Sequence, residues 1–322
     1  MRKSTTFLAA ILLAAAAGSA LAQAWPTRPV RILVGFPAGQ ATDVLARIAA
    51  QRMSDATGQQ FFVENRPGAS GNIAFEMAAR AAPDGYTLLM ASSGTAAINP
   101  SLYAKLPFDI TRDFAPVILM ADIPQLLVVN PGLPVRNVRE LIDYAKVRPG
   151  RIDYASGGSG LTNHLIMEMF KSATGLRLVH IPYRGGPPAL TDLIAGQVSL
   201  MFETTVGALP HVRAGKLRAL AISRAKRSSG APDVPTVAES GVPGFDAAAW
   251  ISMMAPAATP REIILRVNGE INKSLTTAEM RERLTGMGAD PIGGTPEEFG
   301  AFHKAELAKW AKVVKDSGAK VD

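Results

Sequence analysis

The serine best placed to act as a nucleophile is Ser159, in Gly157-Gly158-Ser159-Gly160-Leu161. A hydrolase elbow needs G-x-S-x-G, because a sharp strand-to-helix turn leaves room only for glycine at both flanking positions. Here the last position is leucine, so catalysis by Ser159 is the weaker reading. The histidines are His164, His180, His211 and His303, and none is paired at a metal-binding spacing. Asp109, Asp113 and Asp122 fit no calcium loop and read as solvated or capping residues. There is no G-x-x-x-x-G-K-[ST] and no intact G-x-G-x-x-G, so no cofactor is expected. His164 follows a glycine-rich loop and could touch a ligand, although a structural hydrogen bond is the better reading. Glu203 ends the apolar run 198–202. Its carboxylate could take a ligand's amine or hydroxyl, or could pair internally with an arginine.

The chemistry that remains is anion recognition by backbone. Val30-Arg31-Ile32-Leu33-Val34 reads as a buried strand, followed by a Pro/Gly loop and a helix carrying Leu45, Ile48, Ala49 and Met53 on one face. Thr42 or Asp43 is the expected cap of that helix. A strand, a glycine loop and a helix N-terminus together aim unpaired N–H groups at one point. The pattern recurs where Asp153-Tyr154-Ala155 leads through Ser156-Gly157-Gly158-Ser159-Gly160 to a helix from about Leu161. It recurs again where Val179-His180-Ile181 leads through Pro182-Tyr183-Arg184-Gly185-Gly186 to a helix from about Pro187. Any one of these loops could be an ordinary turn; three in one chain point to a small anionic ligand. Ser92-Ser93-Gly94-Thr95, just past a strand at 87–91, is a candidate fourth wall.

The elements that must position these loops alternate along the chain. A strand is expected at 61–65, a helix at 72–81 and a turn at 83–85. Residues 114–129 read as two extended segments that include a crossing between lobes. A short helix follows at 138–145, then strands at 198–202 and 217–222. Residues 247–255 read as the return crossing, and 260–275 as a helix. In a last helix over 296–317, Phe299, Phe302, Leu307, Trp310 and Val313 recur at helical spacing, and this helix is expected to pack on the first lobe. The alternation predicts an α/β protein with mainly parallel sheets and ligands beyond the carboxyl ends of the strands. Two lobes joined by two crossings would form a hinged cleft.

Composition narrows the setting. Arg2 and Lys3, an apolar stretch over 7–17 and Ala20-Leu21-Ala22 read as a cleavable signal peptide over residues 1–22. The 322-residue chain has no cysteine, which removes disulfides, thiol catalysis and thiolate metal sites. Its formal charge of +7 is scattered among acids, without a basic run interleaved with aromatics, so nucleic acid is a poor partner. No later segment looks like a membrane span. In a Gram-negative cell the destination would be the periplasm.

The chain resembles the extracytoplasmic solute receptors of tripartite tricarboxylate transporters, the Bug-type receptors, over essentially its whole mature length. The likeness is carried by Trp25-Pro26-Thr27-Arg28-Pro29-Val30-Arg31, Ala41-Thr42-Asp43, Val63-Glu64-Asn65-Arg66-Pro67-Gly68-Ala69 and Pro83-Asp84-Gly85-Tyr86-Thr87-Leu88. It continues through Asn99-Pro100-Ser101-Leu102-Tyr103, Pro182-Tyr183-Arg184-Gly185-Gly186, Leu217-Arg218-Ala219-Leu220-Ala221 and Asp233-Val234-Pro235-Thr236-Val237-Ala238-Glu239. The order and spacing of these stretches make it specific.

The resemblance implies a type II periplasmic-binding-protein fold of two lobes. Residues 23–124 and 248–322 would form the first lobe, and 125–247 the second. It implies a monomeric receptor, not an enzyme, that closes on a small organic acid and delivers it to a permease of one large and one small membrane subunit. Phe36, Ala38, Gly39, Gln40, Ala41, Thr42 and Asp43 would hold the ligand carboxylate together with Ser156, Gly157, Gly158, Ser159 and Thr162. Ser92, Ser93, Thr95, Tyr183, Arg184, Gly185, Gly186 and Glu203 would line the rest. The sequence departs from the family where Gln40 replaces a second glycine, Gly35 a proline, and Glu203 a more usual aspartate. Gln40 would either project into the pocket or tilt outward. The alternatives are a secreted α/β hydrolase using Ser159 in the same cleft, or a ligand-sensing receptor that docks to a membrane signalling protein.

Overall fold

The computed structural model describes residues 25–319, so the expected signal peptide lies outside the described residues. Among the described residues, eleven strands form two mixed sheets, ordered β11-β4-β10-β3-β1-β2 and β7-β6-β8-β5-β9. The first sheet contains β1 (Val30–Val34), β2 (Phe61–Asn65), β3 (Thr87–Ser92), β4 (Phe114–Ile123), β10 (Ala249–Pro256) and β11 (Asp290–Pro291). The second contains β5 (Gln125–Val129), β6 (Asp153–Ser156), β7 (Val179–Pro182), β8 (Leu200–Thr204) and β9 (Arg218–Ile222). The expectation of mainly parallel sheets needs correction. Only β2-β1-β3 and β7-β6-β8 are parallel. The strands that carry the chain between sheets, β4, β5 and β10, pair antiparallel. Each parallel half sends its strand ends into helices, and those connections are the glycine loops.

The helices cover these sheets with their apolar faces. Helix α1 (Ala41–Thr57) buries Leu45, Ile48, Ala49 and Met53, and ends on Gly58 in a left-handed conformation suited to glycine. Helices α2 (Asn72–Ala79) and α3 (Asn99–Leu102) complete the first half. The second lobe carries α4 (Val138–Lys146), α5 (Thr162–Thr174), α6 (Gly186–Ile194) and α7 (Thr205–Arg213). Helices α8 (Arg261–Leu275), α9 (Ala278–Gly286) and α10 (Pro296–Ser317) follow the return. Helix α10 starts with a reciprocal Thr295–Glu298 capping box. It packs on β4 and the turn at 94–98 of the first lobe, and also on α5 of the second. It therefore bridges the lobes, where packing on the first alone was expected. Its buried Glu306 accepts indole N–H bonds from Trp250 at 2.9 Å and Trp310 at 2.8 Å. One apolar cluster runs from Leu33 and Phe75 through Trp250 and Trp310 to Phe170 and Phe202, continuous between the sheets.

The chain passes between sheets twice. Pro124 alone separates β4 from β5. The return lies between β9 and β10, so residues 249–255 are a strand paired between β3 and β4, not the crossing itself. The shift has a simple cause: an apolar run buried on both faces satisfies its backbone best inside a sheet. Ser223, fully buried, ties the crossings together. Its hydroxyl accepts from Gln125 N at 3.0 Å and donates to Ala247 O at 2.6 Å. Its backbone pairs with Gln125 O and Ala247 N. Ser223→Ala would strand a buried N–H and a buried carbonyl at once. It is expected to lower unfolding free energy by about 1–3 kcal/mol in urea titration.

Candidate ligand-binding site

The first loop is built around a carboxylate. Helix α1 begins at Ala41, so its N-cap is Gln40, which makes no side-chain capping bond. The expected caps Thr42 and Asp43 instead lie within the first turn. Asp43, 2% exposed, accepts Gly39 N at 2.8 Å, Arg47 Nε at 3.0 Å and Asn65 Nδ2 at 2.9 Å. Asn65 also donates to Phe36 O at 3.0 Å. The loop is thus strapped to the end of β2, and Asp43 organises it without a lone pair left for a ligand. Burial pushes against ionisation of Asp43, but the hydrogen bonds from Arg47, Gly39 and Asn65 outweigh it and hold the carboxyl below its ordinary value. Gly39 takes φ +86°, a conformation side chains resist. The N–H groups of Ala41 and Thr42, in the first turn, have no helix carbonyl to meet. Ala38, Gly39 and Gln40 are exposed beside them.

The end of β3 lies against this loop. A Cβ on Gly71 would stand 2.5 Å from Thr95 Oγ1 and 3.4 Å from the Phe36 ring. A Cβ on Gly35 would stand 2.7 Å from the Gly71 Cα. Backbone approaches backbone here, which excludes a side chain at either position. Ala69 and Ser70 hold positive φ in the same turn, and Ser70 O accepts from Thr95 Oγ1 at 2.7 Å. This turn was absent from the sequence-based site; the Pro67-Gly68 and Gly71 signals mark a turn but not what it touches. Ser93 and Thr95 are buried and engaged internally, so within the expected fourth wall Ser92 and Gly94 are the partly open residues. Ser93 Oγ lies 3.3 Å from Thr162 Oγ1 of α5. That contact joins the first lobe to the second loop.

The second loop turns through Gly158 at φ +142° and Gly160 at φ +79°. Helix α5 starts at Thr162 with no side-chain cap, so the N–H groups of Thr162 and Asn163 are open. Ser159 is exposed, and its N–H has no hydrogen-bond partner among the described residues. Among the described residues the Ser159 hydroxyl has no hydrogen-bonded base, and the imidazole of His180 pairs with buried Ser156, at 2.6 Å. The third loop is bonded to the second through Tyr183 N to Ser156 O at 2.9 Å and Gly185 N to Gly157 O at 2.8 Å.

The third loop offers less to an anion than its pattern promised. Pro187 and Pro188 delete two first-turn donors of α6. The Tyr183 hydroxyl donates to Asp192 at 2.7 Å. Arg184 remains exposed. Beneath the loop, a Cβ on Gly186 would stand 3.1 Å from Glu203 Oε2. Glu203 has no arginine partner among the described residues. Its Oε1 accepts from Thr204 N at 2.9 Å and Thr204 Oγ1 at 2.8 Å, while Oε2 is buried without a partner. Burial pushes its pKa up, against the two Thr204 bonds. The arrangement therefore places anion donors on the first two loops and an acceptor beneath the third. A cavity of about 420 Å³ lies elsewhere, among α5, residues 242–246 and α10, and the three loops do not line it.

Two α/β lobes, two crossings and open N–H groups at the strand ends define a solute-binding protein of the periplasmic-binding type. The family model for the tripartite tricarboxylate transporter family receptor matches residues 45–319, and the chain belongs to that family. It is 40% identical to protein BugT of Bordetella pertussis, over 97% of this chain and 96% of that one. It is 40% identical to R. palustris Rpa4515, solved with adipate, with a TM-score of 0.85 over 92% of this chain and 99% of that one. MatC of Rhodopseudomonas palustris, solved with bound malate, is 32% identical, with a TM-score of 0.79 over 90% and 100%. Such relatives are substrate-binding receptors, and this chain is a receptor, not an enzyme.

Asp43→Ala would release Gly39, Asn65 and Arg47 together. A loss of about 2–4 kcal/mol in stability is expected, since each stranded buried donor costs roughly 1–3 kcal/mol. The folded carboxyl ionises below its ordinary 3.8. The Asp43 contribution is therefore present above that value and lost as pH falls through the folded pKa. Denaturation of wild type and variant between pH 3 and 7 should converge only at the acid end.

Proposed function

We propose that the protein is a periplasmic receptor that binds a small organic carboxylate between its lobes and delivers it to a tripartite tricarboxylate transporter-type permease. The observation that carries this reading is the pair of open helix N-termini, α1 and α5, on different lobes, each entered through a glycine loop. The adipate and malate complexes of relatives support the ligand class. Residues 1–22 serve as the export signal. Residues 23–124 and 248–322 form the first lobe, and 125–247 the second. The protein works as a monomer.

The carboxylate meets the open N–H groups of Ala41 and Thr42 on the first loop and of Ser159, Thr162 and Asn163 on the second, with Ser92, Ser159 and Thr162 adding hydroxyls. Charge-assisted hydrogen bonds contribute roughly 1.5–3 kcal/mol each, and a helix N-terminus about 0.3–1 kcal/mol. Three or four such contacts, together with closure over an apolar ligand body, approach the ~8 kcal/mol of micromolar binding against the association and ordering costs. Arg184 closes the rim. Glu203, with a vacant acceptor atom, selects ligands that carry a donor at the far end. Gln40, exposed and free of capping, tunes the entrance.

A thermal-shift panel of organic acids, amino acids, sugars and nucleotides tests this function. A ligand at about 100 times its Kd adds ~2.7 kcal/mol of stability, so a shift confined to carboxylates is expected, and a shift with sugars or nucleotides alone would overturn the reading. Ser159→Asp should abolish carboxylate binding by placing a like charge at the open N–H groups, whereas Ser159→Asn should retain it within about ten-fold, or 1.4 kcal/mol. Co-purification of the exported receptor with its membrane permease tests the delivery step.

A further inference from the structure

Two imidazoles lie behind the second loop, and neither is needed for the contacts just described. His164 sits in the first turn of α5, 7% exposed, and His180 sits on β7. Their rings are nearly parallel, with centroids 4.1 Å apart and planes at 16°. The Tyr154 ring lies 4.8 Å from His180, again nearly parallel. Each imidazole holds one glycine of the loop. His164 Nδ1 accepts the Gly160 N–H at 3.0 Å. His180 Nε2 pairs with Ser156 Oγ at 2.6 Å, and Ser156 Oγ accepts the Gly158 N–H at 3.1 Å. The open N–H of Ser159 lies between the two tethered glycines.

The Gly160 bond has a strict chemical condition. A backbone N–H can donate to His164 only if Nδ1 carries no proton. The neutral ring must therefore bear its hydrogen on Nε2, which faces Glu168 Oε1 at 3.8 Å. Protonation at Nδ1 sets donor against donor, and the Gly160 tether breaks. Glu168 favours a charge on the ring, but burial outweighs it, and its Oε1 already takes Tyr154 OH at 2.5 Å and Lys171 Nζ at 2.6 Å. Asp246, Lys309, Lys312 and Asp316 line a cavity together with Glu168. Lys309 pairs with Glu306, and Lys312 with Asp316. Two imidazolium rings at 4.1 Å would also repel each other.

We propose that His164 is a positioning residue for ligand binding, and that the second loop keeps its anion-binding shape only while the His164 Nδ1 is unprotonated, so that acidification opens the loop and releases the ligand. The proposal rests on the carboxylate-receptor reading above. Burial, then the charge of Lys171, lowers the His164 pKa from its ordinary 6.5, against Glu168. Burial, then His164, lowers His180 to about 4. Both rings are thus neutral at pH 7. The tether is intact above pH 6.5 and fails as pH falls through the folded pKa of His164.

Nitrogen-15 NMR of the purified protein tests the ring directly, without ligand. At pH 7.5 His164 should be protonated at Nε2 and bare at Nδ1, and the Gly160 amide should titrate with the same midpoint as the ring. A proton on Nδ1 at pH 7.5, or a Gly160 amide indifferent to that titration, would overturn the proposal.

Calorimetry with adipate and malate from pH 8 to 4.5 tests the consequence. His164→Asn keeps an acceptor near the Nδ1 position but cannot titrate. Its affinity at pH 7.5 should match wild type within about three-fold. Each pH unit below the ring's pKa should then cost wild type about ten-fold more than the variant. Ligand ionisation cancels in that ratio, and parallel profiles would sink the idea. If neither protein binds either acid at pH 7.5, the organic-acid panel above decides the carboxylate reading, and the tautomer measurement by itself decides whether His164 tethers the loop.

Discussion

A helix cannot satisfy its own first N–H groups, and the site of this protein depends on that constraint. At α1 and at α5 no side chain caps the helix, so the donors stay open. Both helices are entered from the carboxyl end of a parallel strand through a loop with glycine at positive φ. The loops must be held from behind, because any group placed in front would occupy the donors. In the first loop a buried carboxylate does this, with Asp43 gathering Gly39, Asn65 and Arg47. In the second, two imidazoles and a buried serine do it from the opposite side.

The same division explains why several polar residues at the strand ends are not open to solvent. Asp43, Ser93, Thr95 and Ser156 are all buried and internally bonded. They set backbone shape and leave the first-turn donors of the two helices open. Glu203 differs, because one of its oxygens remains unmatched. An unpaired buried acceptor is costly, and a donor on a ligand or a water would relieve it.

The lobes are joined by more than two strands of backbone. Ser223 locks one crossing to the other, Arg224 pairs with Asp122 at 2.7 Å and with Asp246 at 2.9 Å, and Glu306 ties α10 to Trp250. Asp122 is raised to about 6, chiefly by burial, despite Arg224. Around these ties the apolar cluster is continuous. These contacts hold the two crossings side by side between the sheets.

The three loops, the alternation of elements, the passage near Pro124 and the receptor family were all legible in the sequence. The loops and elements depend on local signals: β-branched runs, glycine and proline in turns, and apolar residues at helical spacing; the family was legible only through the resemblance carried by the order of its matching stretches. The true cap of α1 was not legible, because Gln40 resembles no capping residue while Thr42 and Asp43 do. Nor was the antiparallel half of each sheet, since strand direction is set by where the chain returns. Helix α10 showed its apolar stripe but not that the stripe touches both lobes.

The functions of single side chains belonged to tertiary structure alone. Asp43 and Glu203 are both acids at loop or strand ends, yet one is saturated and the other half-matched. His164 and His180 are sixteen residues apart, and only the pairing of β6 with β7 beside α5 stacks their rings. Sequence determines which groups are available and where the backbone must turn. Which of them face each other is decided by packing, because burial and hydrogen bonding act across chain separations that no local pattern records.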